Sequence, residues 1–173
     1  KEIDICKIVE KVHEAFSNHA IANEKKLQIW FEPGKFLVSQ CGYFITQVNV
    51  LKETAATTFA SVNSGFNHLI RPMFYDAYHY IENISNPNGV EKNYSIVGNI
   101  CETDTFAWER KLNEVREGDY LAFYNAGAYG FEMSSNFNSR LKPAEIMMIN
   151  GKAHLIRKRE EFADLLRNQV EVI

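Results

Sequence analysis

Glu145-Ile146-Met147-Met148-Ile149-Asn150-Gly151-Lys152-Ala153-His154-Leu155-Ile156 is a pair of short β-rich runs joined by Asn-Gly. Asn-Gly at a two-residue connection favours the primed turns whose twist matches that of paired strands, so the stretch reads as a β-hairpin. Working back toward the N-terminus, Asp119 to Tyr124 and Asn93 to Val97 are runs of the same kind, bounded by turn residues. Gln47 to Leu51 and Phe59 to Val62 repeat the extended pattern. Several short strands punctuated by turns predict a mainly β domain.

The chain begins differently. Ile5, Ile8, Val9, Val12, Ala15 and Phe16 recur at steps of three and four, the stripe of an amphipathic helix between Ile3 and Asn18. Leu27-Gln28-Ile29-Trp30-Phe31 then reads as a strand stopped by Glu32-Pro33-Gly34. A helix followed by a buried strand is a closing α/β unit and cannot make a sheet alone. Phe36 to Thr46 stays open between helix and strand, with Gly42 weakening a long helix, and Glu160 to Val170 predicts a closing amphipathic helix through Phe162, Leu165 and Leu166. The expected organisation is an α/β tail over residues 1–45 and a mainly β domain with a closing helix over residues 46–173.

Composition narrows the function classes. The 173 residues are 46% hydrophobic and 24% charged, enough for one domain with a substantial core, or one domain and a fragment of another. A formal charge of -3 argues against general nucleic-acid binding, which needs a concentrated basic face. Arg157-Lys158-Arg159 is the one basic cluster, and it reads as a solvated strand end. Cys6, Cys41 and Cys101 are odd in number and widely spaced, which disfavours a disulfide framework or structural zinc and fits a reducing cytoplasm. The longest apolar runs, such as Tyr43 to Val50, are too short and too interrupted to cross a bilayer. Lys1 carries no signal-peptide apolar region and no initiator Met, which points to a natural beginning upstream.

Five stretches could carry chemistry. Gly98-Asn99-Ile100-Cys101-Glu102-Thr103-Asp104 sets a thiol beside a carboxylate at the end of an apolar strand, although a lone Cys is more often a small core residue. Glu32-Pro33-Gly34-Lys35 sits where a strand turns over; a carboxylate there can neutralise a buried cation, and glycine lets a phosphate approach closely. Arg71 and Tyr75, four apart, can present a guanidinium and a phenol to one carboxylate if Ile70 to Tyr75 turns helically. Asn125-Ala126-Gly127-Ala128-Tyr129-Gly130-Phe131 offers small residues and a phenol after a strand, and Ser134 to Arg140 continues it with hydroxyls and amides.

Taken together and in order, EPGK, SGFNHLIRPMFYDAYHYI, VGNICETDTF, EGDYLAFYNAGAYGFEMSSNFNSR and KPAEI resemble the C-terminal part of the group IV, alanine racemase-like decarboxylases that use pyridoxal 5'-phosphate, and among them the lysine-forming diaminopimelate decarboxylases. The resemblance runs from about Leu27 to Leu166. It implies a C-terminal β-barrel or sandwich of Greek-key type, preceded by the last helix and strand of a (β/α)8 barrel. It implies decarboxylation of meso-2,6-diaminopimelate to L-lysine by a cytoplasmic homodimer whose active site is shared across the interface. The family's Schiff-base lysine and glycine-rich phosphate loop belong to the N-terminal barrel, to which no segment here corresponds, so these residues alone should be inactive.

Residue by residue, Glu32 resembles the carboxylate that keeps the pyridine nitrogen protonated, and Pro33, Gly34, Lys35 and Tyr129 fall on the cofactor-contacting positions. Lys35, Arg71, Tyr75, Glu102 and Tyr129 fall on substrate positions, with Arg71 and Tyr75 on the distal carboxylate and Glu102 on the distal ammonium. Cys101 resembles the proton donor delivered to the partner's site. Two positions depart from the family pattern: Lys35 stands where Arg is usual and cannot offer a bidentate fork, and Asn63 stands where Asp is common. Rival readings are a relative acting on ornithine, lysine or an acyl-carrier-linked glutamate, and a catalytically dead regulatory homologue. Arg71 with Tyr75 and Glu102 favours a substrate with a distal carboxylate; retention of Cys101, Glu102, Glu32 and Tyr129 argues against a dead homologue.

Overall fold

The computed structural model describes residues 4–101 and 103–172, in two compact units that divide between Pro33 and Gly34. In the first, Asp4 starts helix α1 (Ile5–Ala22) by accepting from the Lys7 N–H at 3.0 Å, and the Asn23 N–H closes it on the His19 carbonyl at 3.2 Å. The helix is longer than its stripe predicts, and none of its residues is buried. The predicted strand at Leu27–Phe31 has no ladder partner among the described residues, and Trp30 is 85% exposed. Apolar β-prone residues make a strand only where a neighbour takes their N–H and C=O groups.

The second unit opens with a single helical turn, α2 (Gly34–Val38), and a 3-10 turn over Ser39–Cys41, which resolves the ambiguous stretch as helix first and strand afterwards. Strands β1 (Phe44–Glu53), β2 (Thr58–Val62), β3 (Ile81–Asn83), β4 (Glu91–Val97), β5 (Thr105–Asn113) and β6 (Tyr120–Phe123) form one sheet in the order β3-β6-β1-β2-β4-β5. All neighbours are antiparallel except β2 and β4. The two end strands come together at Glu114, whose carbonyl accepts from Asn83 Nδ2 at 2.8 Å and Asn86 Nδ2 at 2.9 Å. The sheet is therefore mainly β and nearly closed, as the sequence predicts, with side-chain amides bridging its seam.

Its core is one cluster. Val48, Val62, Leu69, Ile96, Leu121 and Phe123 are almost fully enclosed, Phe106 meets Phe123 edge-on at 5.2 Å, and the buried Tyr94 hydroxyl accepts from the Val115 N–H at 3.0 Å. Strand β1 follows the period of two as far as Val48, with Thr46 and Val48 buried and Ile45 exposed, and its register with β2 then shifts between Val48 and Val50. Strand β5 does not: Glu109 stands at φ 46° and the register with β4 shifts between Tyr94 and Ile96. This bulge puts Trp108 and Glu109 consecutively in solvent and hides the strand from a period-two reading.

The opening hairpin forms as read. β7 (Glu145–Ile149) pairs with β8 (Lys152–Arg157) across Asn150 and Gly151, both at positive φ (50° and 76°) as a primed turn demands. Arg157 closes on Glu145 in an exposed ion pair, and Lys158 and Arg159 are in solvent. The closing helix is shorter than predicted: a capping box between Glu161 and Asp164 starts α4 (Phe162–Leu166), but Phe162 and Leu166 are 71% and 55% exposed. Without a buried face, propensity alone does not sustain a longer helix.

Candidate active site

Gly42 and Gly127 let two loops meet. A Cβ on Gly42 would lie 2.3 Å from the Gly127 Cα, and one on Gly127 would lie 2.0 Å from the Val38 carbonyl oxygen. Their contact, fixed by the Gly127 N–H donating to the Ser39 carbonyl at 3.1 Å and the Ala126 N–H to the Gly42 carbonyl at 2.8 Å, lays the 125–130 loop on α2 and its 3-10 turn. Tyr129, held at φ 57°, brings its hydroxyl down to Gly34, where an added Cβ would stand only 3.0 Å away. Lys35 is exposed, and its Nζ donates to Ser39 Oγ at 3.3 Å, which in turn donates to the Asn125 carbonyl at 3.1 Å.

The segment Arg71–Tyr75 does turn helically, as the short helix α3, with Pro72 in its first turn and Asp76 in the left-handed region at φ 50° closing it. Arg71 thereby faces two phenol rings, Tyr75 at 5.6 Å and Tyr129 at 5.9 Å from its Cζ. Arg71, Tyr75, Tyr129 and Met133 line a cleft of about 260 Å³. The guanidinium Nε is buried with no hydrogen-bond partner among the described residues. A larger hollow of about 580 Å³ beneath the 53–58 turn is open and lined by Glu53, Asn93, Glu109 and a run of Ala and Thr; it gathers no cation and no aromatic ring.

Cys101 is elsewhere. It is exposed, in the loop that follows β4, and Asn138 Nδ2 donates to its Sγ at 3.4 Å. The loop is held by Asp104, which is 6% exposed and accepts from the Phe66 N–H at 2.7 Å and the Ile100 N–H at 3.1 Å. Glycine at 98 is obligatory, because its Cβ would fall 1.8 Å from Asp104 Oδ2. Arg140 grips the same loop through Asn99, donating to its carbonyl at 3.2 Å and its Oδ1 at 3.0 Å. Burial pushes the Asp104 carboxyl above its ordinary range, against the pull of its two N–H donors and Arg140.

The structure thus brings Gly34, Arg71, Tyr75 and Tyr129 together, with Lys35 on the adjoining turn; Glu32 and Pro33 belong to the first unit, and Glu102 lies outside the described residues. Asn63 takes the role an Asp could take: its Oδ1 accepts from Thr46 Oγ1 at 2.6 Å and the Gln47 N–H at 3.1 Å. Asp104, Arg140 and His79 are residues to which sequence reasoning gave no role, and an acid six residues after Gly98 is the one local cue for the first of them.

His68 and His79 are both held below the ordinary histidine range, first by burial and then by nearby guanidinium or ammonium groups. The unfolded chain takes up these protons near pH 6.5 and the folded chain only at lower pH, so their stability contribution is complete above about 6.5 and is lost on acidification. Asp104 acts oppositely, but over the carboxylate range. The melting temperature of the complete gene product is expected to fall between pH 7.5 and 5.5; a flat profile would mean that neither imidazole is held neutral.

Comparison with known proteins gives the site a context. A family profile described as the C-terminal sheet domain of pyridoxal-dependent decarboxylases matches residues 35–127. The diaminopimelate decarboxylase of Methanothermobacter thermautotrophicus is 46% identical over 140 residues, 80% of this chain and 32% of that protein. That of Aquifex aeolicus is 42% identical over 148 residues, 85% and 35% of the two chains. The crystal structure of the M. jannaschii diaminopimelate decarboxylase in complex with L-lysine superposes with a TM-score of 0.79 at 35% identity, over 92% of this chain and 37% of that one. The chain spans about a third of the length of the curated relatives it matches.

Proposed function

This chain belongs to the pyridoxal-dependent decarboxylase family as its C-terminal sheet domain, and from that premise we propose that it completes the active site of an enzyme converting meso-2,6-diaminopimelate to L-lysine and CO2. The observation that carries the reading is the Arg71 guanidinium, flanked by Tyr75 and Tyr129 in a cleft and partly buried without a counter-anion among the described residues. A substrate with a carboxylate at its far end supplies that anion; ornithine and lysine do not.

The residues present fit pyridoxal phosphate. Gly34 leaves room for the Tyr129 hydroxyl over the first residue of α2, and Lys35 adds a positive charge on the same turn, a donor set suited to a phosphate. When bound, the cofactor supplies the electron sink that stabilises the charge left as CO2 departs. Tyr129 and Lys35 orient the phosphate side, Glu32 keeps the ring nitrogen protonated, and Arg71 with Tyr75 fixes the distal carboxylate. Cys101 Sγ–H gives its proton to the carbon that has lost CO2, and Glu102 receives the distal ammonium.

A 260 Å³ cleft is small for a cofactor and substrate together, and Cys101 is not among its lining residues. The second fact is accounted for if two copies pair, each lending Cys101 and Glu102 to the other's cleft, in a homodimer. Three free thiols suit a reducing compartment such as the cytoplasm. The test is to supply the complete gene product with pyridoxal phosphate and meso-diaminopimelate and to measure CO2 and lysine. Release of both is expected; bound cofactor with neither product would instead mark a non-catalytic homologue.

A further inference from the structure

His79 is enclosed, at 4% exposure, between the end of β6 and the turn that leaves α3. Its Nδ1 lies 2.8 Å from the Tyr124 carbonyl. A carbonyl only accepts, so Nδ1 carries the hydrogen and a neutral ring must present a lone pair at Nε2. That carbonyl is itself fixed: the Tyr124 N–H donates to the Tyr80 carbonyl at 2.9 Å, and the Tyr124 hydroxyl donates to Glu82, which pushes that phenol up to about 12.

His79 Nε2 is buried and has no partner among the described residues. Arg71 Nε, a donor, is buried and has none either. The Asp76 and Ala77 N–H groups fold back onto the Arg71 carbonyl, so the chain that leaves α3 turns back at its start and reaches His79 two residues later; the ring is held below its ordinary range by burial first and then by the Arg71 and Lys35 charges. Protonation of Nε2 would set a third cation beside those two, so the ring's use is as an acceptor. A buried donor and a buried acceptor left unpaired on the same turn of chain cost free energy unless some state of the protein joins them.

We propose that His79 is the positioning residue for Arg71: its Nε2 accepts the Arg71 Nε–H when the substrate's distal carboxylate takes the terminal nitrogens, and so fixes the plane of the guanidinium. The proposal rests on the decarboxylase reading above and deepens it. It makes selection for a distal carboxylate depend on a histidine that touches neither substrate nor cofactor.

Two near-isosteres separate this role from a structural one, in the complete gene product loaded with pyridoxal phosphate. His79→Asn keeps a donor where Nδ1 stands and removes the atom at Nε2; His79→Gln keeps an acceptor near Nε2 and gives up the bond to Tyr124. His79→Asn is expected to raise KM for meso-diaminopimelate roughly tenfold, the worth of one hydrogen bond to a charged group, with kcat within about twofold. Inhibition by L-lysine, which lacks the distal carboxylate, should not change. His79→Gln should restore most of the affinity while melting lower. His79→Asn with wild-type KM, or with KM and lysine inhibition weakened in step, overturns the inference and leaves the decarboxylase reading intact. A wild-type protein that releases no CO2 overturns both.

Discussion

Cys101→Ala is expected to lower kcat of the complete gene product by roughly 10²- to 10⁴-fold, the range lost with one positioned proton donor. The absorbance of bound pyridoxal phosphate should stay as in the wild type, because the thiol is neither in the Arg71–Tyr129 cleft nor on the Gly34–Lys35 turn. The side chain is exposed and the hydrogen bond it accepts from Asn138 is long, so the truncation should leave stability within about 0.5 kcal/mol. Loss of turnover with cofactor and fold retained therefore isolates the proton step. A variant that turns over at the wild-type rate would remove Cys101 from the chemistry. If the thiol serves a partner's cleft, mixing Cys101→Ala with Arg71→Met subunits, each nearly inactive alone, leaves one intact site in each mixed dimer and should recover up to about a quarter of wild-type activity over the whole mixture; no recovery would place donor and cleft in one subunit.

How far the sequence could foretell this depends on whether a role is local. Asn150-Gly151 and the i to i+4 spacing of Arg71 and Tyr75 are settled by neighbours in the chain, and each appears as read. Strand β5 was concealed by its own bulge, and β3 is three residues long, too short for any alternation to show. The Leu27–Phe31 run has strand composition but no partner among the described residues, and the α4 run has helical spacing but no surface to bury against. Composition states what a segment prefers, while pairing is decided elsewhere in the chain.

The same division runs through the site. Gly34, Arg71, Tyr75 and Tyr129, which the structure brings together, and Cys101, the proposed proton donor, stand in motifs that the sequence displays, whereas the groups around them act across the fold. His79 reaches Tyr124, Asp104 reaches Phe66, and Arg140 reaches Asn99, each pair separated by 38 to 45 residues. Lys35 and Asn63, the two departures from the family pattern, also become intelligible only in three dimensions. Asn63 supplies the acceptor that Thr46 and Gln47 need, and Lys35 finds a hydroxyl, for which a single ammonium suffices.

Asp104→Ala is expected to be the most damaging change outside the cleft. Two N–H donors, from Phe66 and Ile100, lose their acceptor at a 6% exposed position, at about 1–3 kcal/mol each. A space also opens beside Gly98 and Gly65, whose missing Cβ atoms are the room the carboxylate fills. The sheet domain should lose roughly 3–5 kcal/mol on these grounds. Because burial raises the Asp104 pKa, its charged form is the strained one: the native state favours its proton, and that contribution is present below about pH 3.8 and is lost as pH rises through the raised value. Asp104→Asn, neutral and of the same shape, keeps one accepting oxygen and should cost distinctly less than Ala. The consequence for function is specific, since Asp104 fixes the Ile100 N–H immediately before the thiol. Displacing a proton donor by an ångström lowers turnover by about 10²-fold, so Asp104→Ala protein that still folds should show that fall in kcat with cofactor binding unchanged. Folded Asp104→Ala with wild-type kcat would show that the loop places Cys101 without this carboxylate.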